Sequence, residues 1–488
     1  MKIAIASYEV FPFAKVGGLA DVVGSLPKAL KKLDEVEEVV VFMPKHKIVD
    51  KNADRYGYSI EPVKGGIPVP VLKTNEKFDI FKSKIPGSDV TVYMIANNYY
   101  YSSEKVYEGP DLAEPEIFFS AAVLYALKEL DFKPDVLHVN DWHTALIPVY
   151  LKTVFRDDPF LEGISTVLTL HNIGAAYQGR IDKSYMKFAG LPDYLYNIDG
   201  LEFYGQINLL KGGILFADII NTVSPTYAQE IQTEEFGNGL EGVLKVRSSD
   251  LYGILNGIDI HLYDSFLKEA GYETFDIKDY DKKKPKNKQA LRKEFGLEPT
   301  EAPIIGMITR LVDQKGLDLV YEIFDYIMLL GAQFIVLGTG EKKYENMFTE
   351  MAKKYLGRVS ANITFNNELA AKIYASSDMF LMPSRYEPCG LGQMFAMRYG
   401  TIPIVRYTGG LADSVKEYDE ESKDGTGFGF IPYDSAYLLK AIAKAVYHYY
   451  TDNWDNIVKN ALSQDFSWNR SAKEYLELYK ASMSKIKS

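Results

Sequence analysis

The chain of 488 residues contains little cysteine, tryptophan or histidine, with one, three and six of these residues respectively. A single cysteine, Cys389, excludes an intrachain disulfide and a metal site built on several thiolates, and this usage is typical of a reducing cytoplasm. The N-terminus lacks the long apolar core and small-residue cleavage site of a signal peptide, and no uncharged apolar run reaches membrane-spanning length. We therefore predict a cytoplasmic protein with no membrane partner.

Positive charge is also scarce, because the net charge is −11. A negatively charged protein has no field that attracts a polyanion, so a general nucleic-acid partner is excluded. A local basic pocket for a small phosphate ligand stays open. The content of 47% hydrophobic and 25% charged residues is that of an ordinary globular protein, and the length predicts two or three domains.

Two common nucleotide-binding motifs are missing. No G-x-G-x-x-G follows the first apolar run, and the nearest match, Gly338-Thr339-Gly340, lacks the third glycine. The P-loop pattern G-x-x-x-x-G-K-[ST] is absent too, so a dinucleotide enzyme and a P-loop ATPase are both disfavoured. Without an Asp-x-Asp metal clamp at a strand end, a bound diphosphate would depend on basic side chains and helix N-termini.

Short apolar runs alternate with amphipathic segments, which is typical of parallel sheets wound with helices. The predicted strands are 3–7, 39–43, 90–95, 136–139, 167–170 and 219–223, and then 304–309, 334–337, 363–365, 379–383 and 402–405. Residues 46–90 are interpreted as a β-rich excursion, and the charged stretch 268–300 as a solvated linker or insertion. The fold class is therefore α/β, with Rossmann-like doubly wound domains at 1–255 and 256–466 and a terminal helix in 467–488 that returns to the first domain.

Two glycine pairs stand in nearly the same context, GGLADVV at 17–23 and GGLADSV at 409–415. Glycines let a ligand approach the backbone, a helix N-terminus presents N–H groups, and Lys15 adds charge, so each pair predicts an anion-binding turn. A tight strand-to-helix turn is the alternative reading. Because doubly wound sheets bind ligands at the carboxyl ends of their strands, we expect two such edges to face each other across a deep cleft.

Charged side chains follow two predicted strands of the second half. Arg310 and Lys315 come after 304–309 and can clamp a diphosphate. Glu387 comes after 379–383, where a carboxylate can bind sugar hydroxyls, stabilise an oxocarbenium-like centre, or simply cap the helix that we predict to begin at 389–391. Cys389 is not predicted to be a nucleophile, because no histidine lies nearby in sequence.

Polar residues also follow two strands of the first half. His171 and Asn172 come after 167–170, and His138, Asp141 and His143 surround the end of 136–139. A metal site at the second cluster lacks a convincing ligand set, so side chains directed at a sugar fit better. The 36 tyrosines would suit sugar stacking, although ordinary packing explains them equally well.

Seven blocks in order resemble the bacterial glycogen synthases and plant starch synthases. They are KVGGLADVVGSLP (15–27), HVNDWHTAL (138–146), LTLHNIGAAYQG (168–179), NGID (256–259), TRLVDQKGLDL (309–319), SRYEPCGLGQ (384–393) and YGTIPIVRYTGGLADSV (399–415). The resemblance implies a GT-B fold and transfer of glucose from ADP-glucose to the non-reducing end of an α-1,4-glucan, with retention and with no metal or other cofactor. UDP-glucose as donor, a small acceptor, and a non-catalytic glucan-binding protein are the alternatives.

The resemblance also implies site residues, carried over through the matching blocks. The catalytic set is Lys15, His171, Arg310, Lys315 and Glu387. The donor-binding set is Lys15, Gly17, Gly18, Asn256, Arg310, Lys315, Phe365, Cys389, Gly390, Leu391, Thr408 and Gly409. The acceptor or sugar set is Asp21, Asp141, His171 and Asn172. Departures from the family at 263–265, at Gly392 and across 356–368 affect the expected nucleotide preference, not the reaction. Since Lys15 and Arg310 belong to different halves, we expect the site to be complete only when the cleft closes.

Overall fold

The computed structural model describes residues 1–108 and 113–487 and divides into two compact units. Unit 1 consists of Met1–Gly257 with Trp468–Ser488, and unit 2 of Ile258–Ser467. Ser488, the last residue of the predicted C-terminal segment, lies outside the described residues.

Unit 1 contains a large sheet, a small sheet and flanking helices. Its strands are β1 (Lys2–Ala6), β2 (Glu38–Pro44), β3 (Glu61–Pro68), β4 (Lys77–Lys84), β5 (Thr91–Ala96), β6 (Val136–Asn140), β7 (Ser165–Leu170), β8 (Arg180–Ile181), β9 (Glu202–Phe203), β10 (Gln206–Asn208), β11 (Ile219–Thr222) and β12 (Leu251–Gly253). Its helices are α1 (Gly18–Leu30), α2 (Ile48–Tyr56), α3 (Glu114–Glu129), α4 (Leu146–Lys152), α5 (Tyr185–Phe188), α6 (Leu209–Phe216), α7 (Pro225–Glu230), α8 (Glu241–Val246) and the last helix of the chain, α18 (Trp468–Lys487).

The nine-stranded sheet of unit 1 has the order β12-β11-β7-β6-β1-β2-β5-β4-β3. All pairs from β12 to β5 are parallel, whereas β4 and β3 add an antiparallel edge. Among the parallel strands, chain order runs outward from β1 on both sides, to β2 and β5 on one side and to β6, β7, β11 and β12 on the other. The sheet is therefore doubly wound, and its strand order reverses between β1 and β6. The predicted strands are confirmed, and the excursion at 46–90 holds β3 and β4 together with α2.

Helix α18 packs on unit 1 through the apolar stripe that the sequence shows. Ala472, Tyr475, Leu476 and Tyr479 are all buried. The Tyr479 hydroxyl lies 2.9 Å from Nδ1 of His138, and Asn221 Nδ2 donates to the Tyr475 hydroxyl over 3.1 Å. Two tyrosine hydroxyls thus tie the helix to buried residues inside β6 and β11. Among the described residues, no helix combines the length and apolar character that crossing a membrane requires.

Unit 2 contains one parallel sheet with helices around it. Its strands are β13 (Ile304–Ile308), β14 (Gln333–Leu337), β15 (Val359–Asn362), β16 (Met379–Met382), β17 (Ile402–Arg406) and β18 (Phe428–Phe430). Its helices are α9 (His261–Glu269), α10 (Tyr280–Glu294), α11 (Leu317–Leu329), α12 (Lys342–Lys354), α13 (Asn367–Ser376), α14 (Gly392–Arg398), α15 (Gly409–Ser414), α16 (Ser435–Tyr449) and α17 (Asn453–Leu462). The order β15-β14-β13-β16-β17-β18 is the Rossmann order 3-2-1-4-5-6, which places the switch point between β13 and β16.

The prediction of a solvated linker at 268–300 is wrong, because residues 280–294 form α10. Lys284 is buried there, and its Nζ donates to the Tyr399 carbonyl over 2.9 Å and to Thr401 Oγ1 over 2.7 Å. Burial lowers the pKa of Lys284 to about 7. Long lysine stems can cover apolar surface, so a run of lysines does not by itself indicate a solvated segment.

Two smaller predictions in unit 2 are also wrong. The strand predicted at 363–365 is displaced, since β15 ends at Asn362 and Phe365 lies in the following loop. The helix predicted to begin at 389–391 begins at Gly392, with Leu391 as its N-cap residue.

Candidate active site

The loops after β13 and β16 meet at the switch point of unit 2. Gly316 has a φ of +69°, and a Cβ there would lie 2.0 Å from the Pro383 carbonyl oxygen, so only glycine fits this close approach. The Arg385 N–H donates to the Gln314 carbonyl over 2.9 Å. The loop with Arg310 and Lys315 is therefore fixed against the loop with Glu387.

A buried ion pair joins these two loops. Lys315 Nζ lies 2.6 Å from Glu387 Oε2, and Ser384 Oγ donates to the same oxygen over 3.0 Å. Both charged side chains are largely removed from water, so their attraction is stronger than that of a surface pair. The sequence predicted both residues at the site but not their contact with each other.

Arg310 is exposed beside this pair. Its Nη2 lies 3.5 Å from Gln314 Oε1, and Gln314 Nε2 donates to the Tyr386 carbonyl over 3.2 Å. The guanidinium is thus held near the two loops while its planar donor fork stays accessible to an anion.

The second glycine pair packs on the loop that carries Glu387. Gly409, with a φ of +44°, follows the buried N-cap residue Thr408, and a Cβ at Gly409 would lie 2.1 Å from the Glu387 carbonyl oxygen. The Gly410 N–H donates to the Glu387 and Pro388 carbonyls, each over 3.1 Å. At Gly410 the structure favours the tight turn over the anion-binding turn, because protein carbonyls already accept this N–H.

The remaining predicted residues of this loop are ordered by Gln393. Its Nε2 donates to the carbonyls of Cys389 and Gly390, over 3.1 and 3.0 Å. The Cys389 thiol is buried, as expected for a structural cysteine, whereas Gly390 and Leu391 are partly exposed. Backbone groups at Gly390 and Leu391 therefore lie at an accessible part of the carboxyl edge.

Phe365 and Asn256 lie in loops that follow edge strands. Phe365 comes after β15, at the same carboxyl edge as Arg310, and 77% of its surface is exposed. Asn256 follows β12 in unit 1 and is buried, and its Oδ1 has no hydrogen-bond partner among the residues that the structure describes. A buried acceptor without a partner costs about 1–3 kcal/mol, which a bound donor group would recover.

In unit 1, the loop after β1 holds Lys15 at the start of α1. Lys15 Nζ contacts both carboxylate oxygens of Asp21, over 2.6 and 2.7 Å. The Gly17 N–H donates to Oε2 of Glu9 over 2.8 Å. Gly18 begins α1, and a Cβ at that position would meet nothing within 4 Å, so packing does not require this glycine.

His171 follows β7 and is a neutral ring. Its Nε2 lies 2.9 Å from Asn140 Oδ1, and Asn140 Nδ2 donates to the Ala6 carbonyl over 3.1 Å. The second contact fixes the amide orientation, so His171 Nε2 carries the proton and Nδ1 is the acceptor. Burial lowers the pKa of His171 to about 3. Asn172, the next residue, accepts from the Gly174 N–H over 2.8 Å and shapes the loop.

Asp141 follows β6 in a strained, buried position. Its φ is +55°, which costs on the order of 1–3 kcal/mol for a residue other than glycine. Its Oδ1 accepts from the His171 N–H over 2.7 Å, so the carboxyl end of β6 is tied to that of β7. Burial, assisted by the charge of Glu9, raises the pKa of Asp141 to about 7. Strain and a shifted pKa of this kind cluster at functional sites.

Known proteins resemble this sequence over its whole length. Residues 2–246 match the family model described as starch synthase catalytic domain, and residues 288–462 match glycosyl transferases group 1. The glycogen synthase of Thermosipho africanus is 61% identical over 99% of this chain and 100% of its own. That of Thermotoga petrophila is 60% identical over the full length of both. The chain belongs to the glycogen and starch synthase family.

A solved structure of the same family extends the likeness to three dimensions. The catalytic domain of starch synthase IV from Arabidopsis thaliana, bound to ADP and acarbose, has 34% identity and a TM-score of 0.88, and the match covers 99% of each chain. The GT-B fold and the glycosyltransferase class predicted from the sequence are confirmed.

The histidines His138 and His143, considered from the sequence as metal ligands, contact other protein side chains in the structure. His138 bonds Tyr479 and Thr169 Oγ1 in the core, and His143 stacks on Tyr8 with 5.1 Å between ring centroids. Across residues 1–108 and 113–487, no group of three or more His, Cys, Asp or Glu side chains could hold a metal ion.

Asn140, Ser384 and Glu9 contact predicted site residues, and Tyr107 contacts Glu9, but these four were not singled out from the sequence. Asn140 and Ser384 lie inside the matching blocks, next to residues that were chosen. Glu9 lies in the loop after β1, which is the signal that could have identified it. Tyr107, whose hydroxyl donates to Glu9 Oε1, is 98 positions away from it and had no such signal.

Proposed function

We propose that this family member transfers glucose from ADP-glucose to the non-reducing end of an α-1,4-glucan and retains the configuration at the anomeric carbon. The observation that carries the proposal is the Lys315–Glu387 ion pair, with Arg310 on the same loop as Lys315, at the switch point of unit 2, where doubly wound sheets bind nucleotides. Two cations and one carboxylate suit a reaction that separates a diphosphate from a sugar.

Arg310 and Lys315 bind the diphosphate of the donor, with Lys15 of unit 1 as a further cation. Negative charge grows on the diphosphate as the bond to glucose breaks, and fixed cations stabilise that charge more in the transition state than in the bound donor. Arg310 offers a planar fork for two phosphate oxygens, whereas Lys315 is a point charge. These cations take the role that a divalent metal has in other enzymes, so we propose a reaction without metal.

Glu387 stabilises the positive charge that builds at the anomeric carbon. Its carboxylate is held by Lys315 and Ser384, which fixes its position before the reaction starts. The acceptor hydroxyl attacks from the face that the diphosphate leaves: the new C–O bond forms, the bond to the β-phosphate oxygen breaks, and the hydroxyl proton passes to the departing phosphate. A glucosyl adduct trapped on Glu387 would contradict this front-face route.

Phe365 stacks on the adenine, with Asn256, Thr408, Gly409 and Gly390 among the further donor contacts. The high exposure of the Phe365 ring supports this role, and the ADP of the Arabidopsis relative supports an adenine nucleotide. The sugar side uses Asp21, Asp141, His171 and Asn172. A neutral His171 with a free acceptor nitrogen suits a sugar hydroxyl, which can donate to it.

A donor competition on glycogen tests the proposal. Labelled ADP-glucose is incubated with the full chain and glycogen, with and without excess unlabelled UDP-glucose. We expect label in the polymer, little competition by UDP-glucose, and early release of the label by an exo-acting β-amylase. Equal use of UDP-glucose would overturn the donor assignment and leave the reaction class in place.

The same assay tests for a small acceptor and for a protein without catalytic activity. Label in a disaccharide instead of the polymer would indicate a small acceptor. Intact donor after incubation with primer would indicate a non-catalytic glucan-binding protein.

A further inference from the structure

A carboxylate of the same chain already occupies the backbone N–H groups at the start of α1. Glu9 is 3% exposed, and its Oε2 accepts from the N–H of Val16 over 2.5 Å and of Gly17 over 2.8 Å. Gly17 is the N-cap residue of α1, so both N–H groups belong to the segment that leads into the helix. Glu9 therefore fixes this segment from outside the helix, and its charge suits the positive end of the helix dipole.

Tyr107 holds the other oxygen of the same carboxylate. Its hydroxyl donates to Glu9 Oε1, and its ring stacks on Tyr8, with 5.9 Å between centroids. Burial raises the pKa of Tyr107, with the charge of Glu9 as the next cause, so the hydroxyl keeps the proton that it donates. Both oxygens of Glu9 are thus engaged with protein donors.

Lys15 is not the partner of Glu9, although it lies next to the residues that Glu9 binds. Its ammonium contacts Asp21 instead, one helical turn into α1. The segment 15–18 is therefore fixed by two different carboxylates, Glu9 on its backbone and Asp21 on its lysine. A donor phosphate at the Val16 and Gly17 N–H groups would meet the negative charge of Glu9.

We propose that Glu9 is a positioning residue that holds the segment 15–18 so that Lys15 is presented to the donor diphosphate, with Tyr107 keeping Glu9 in place. In this arrangement the glycine turn after β1 contacts the donor through the Lys15 side chain. The N–H groups of Val16 and Gly17 bind the carboxylate of Glu9. The inference rests on the proposed function, because it takes Lys15 as a donor-binding residue.

A double-mutant cycle on the full chain tests the link between Glu9 and Lys15. We expect Glu9→Ala to lower kcat/KM for ADP-glucose about 100-fold, as a displaced catalytic group does, with the KM for glycogen unchanged. Glu9→Gln keeps an acceptor oxygen for both N–H groups, and its NH2 group can donate to the Tyr107 hydroxyl, which then accepts. We therefore expect a loss within about fivefold. In a Lys15→Ala background, Glu9→Ala is expected to add no further loss.

Asp218→Asn is the matched control. Asp218 precedes β11, its side chain is 10% exposed, and its carboxylate accepts from the Thr166 N–H of β7 over 2.8 Å. Its loss should therefore lower stability and leave kcat/KM for ADP-glucose unchanged. Tyr107→Phe is the second probe, should Glu9→Ala not fold, and its effect is also expected to vanish in the Lys15→Ala background.

The outcomes separate the two proposals. Losses from Glu9→Ala or Tyr107→Phe that persist in the Lys15→Ala background would overturn the positioning role while the proposed function stands. An unchanged kcat/KM for ADP-glucose in both single variants would do the same. Full activity of Lys15→Ala alone would instead remove Lys15, and this inference with it, from the mechanism.

Discussion

Lys315 Nζ lies 2.6 Å from Glu387 Oε2, with only 15% and 10% of the two side chains exposed. Each residue therefore sets the electrostatic environment of the other. A donor diphosphate that binds Lys315 has to share this ammonium with Glu387, so the pair couples donor binding to the position of the carboxylate.

Glu387→Gln is expected to lower kcat by about 10²–10³-fold, because the amide cannot stabilise positive charge at the anomeric carbon. ADP affinity should stay the same or increase, since the Lys315 charge is no longer shared with a carboxylate. Steady-state kinetics and calorimetric titration with ADP measure the two effects, and thermal melting checks that the variant is folded. Near-normal turnover would remove Glu387 from the mechanism.

Arg310→Ala is expected to weaken ADP binding about 10–100-fold, and Arg310→Lys to recover only part of it, because lysine lacks the planar fork. Calorimetric titration measures both. Arg470→Ala, which removes an exposed arginine of α18, is the control and should bind ADP normally. An affinity of Arg310→Ala within twofold of the unmodified protein would contradict the diphosphate role.

Chelation is expected to leave the transfer rate unchanged, because basic side chains neutralise the diphosphate in our proposal. The assay compares the initial rate with ADP-glucose and glycogen before and after dialysis against EDTA. A loss of rate that Mg²⁺ restores would show that the cationic residues do not suffice.

Lys284→Met is expected to remove a pH dependence of stability between about pH 7 and 10. Burial lowers the pKa of Lys284 from the ordinary lysine value of 10.5 to about 7 in the folded protein, so the unfolded chain binds more protons in this window. The folded state therefore gains stability as the pH rises through it.

Thermal melting at each pH measures this effect. Between about pH 7 and 10, we expect the melting temperature of the unmodified protein to rise by several degrees relative to that of Lys284→Met. Lys286→Met, an exposed site on the same helix, is the control, and its difference from the unmodified protein should not vary with pH.

The double variant Tyr475→Phe with Tyr479→Phe is expected to destabilise unit 1 by about 1–3 kcal/mol for each lost hydroxyl, because the buried His138 and Asn221 lose a partner. Tyr447→Phe, at an exposed position, is the matched control. Equal melting temperatures of the double variant and the control would show that α18 is held by its apolar stripe alone.

The sequence predicts the positions of most parallel strands because buried parallel strands are short apolar runs. This rule succeeds for β13 and β16 but fails at β15, whose sequence Val359-Ser360-Ala361-Asn362 is hardly apolar, while Ile363 and Phe365 beyond it lie in a loop. Helix α10 was also not predicted from the sequence. A run of lysines was interpreted from its charge as solvated, but the long side chain of a lysine such as Lys284 can pack in the interior.

The candidate site residues could be proposed from the sequence because they follow strands within recognisable blocks. The contacts between these residues could not be predicted from the sequence. The approach of Tyr107 to Glu9, the amide of Asn140 that sets the His171 tautomer, and the salt bridge of Lys315 all join residues that are distant in sequence, and only the folded chain brings them together.

Unit 1 is completed by a helix that lies beyond unit 2 in the sequence. During synthesis, the ribosome has to translate all of Ile258–Ser467 before α18 exists, so the surface that receives Tyr475 and Tyr479 stays uncovered for that time. Unit 2 is continuous in sequence, so all of its helices and strands are synthesised without an intervening segment. It is therefore the first of the two that can acquire its full complement of elements as the nascent chain emerges.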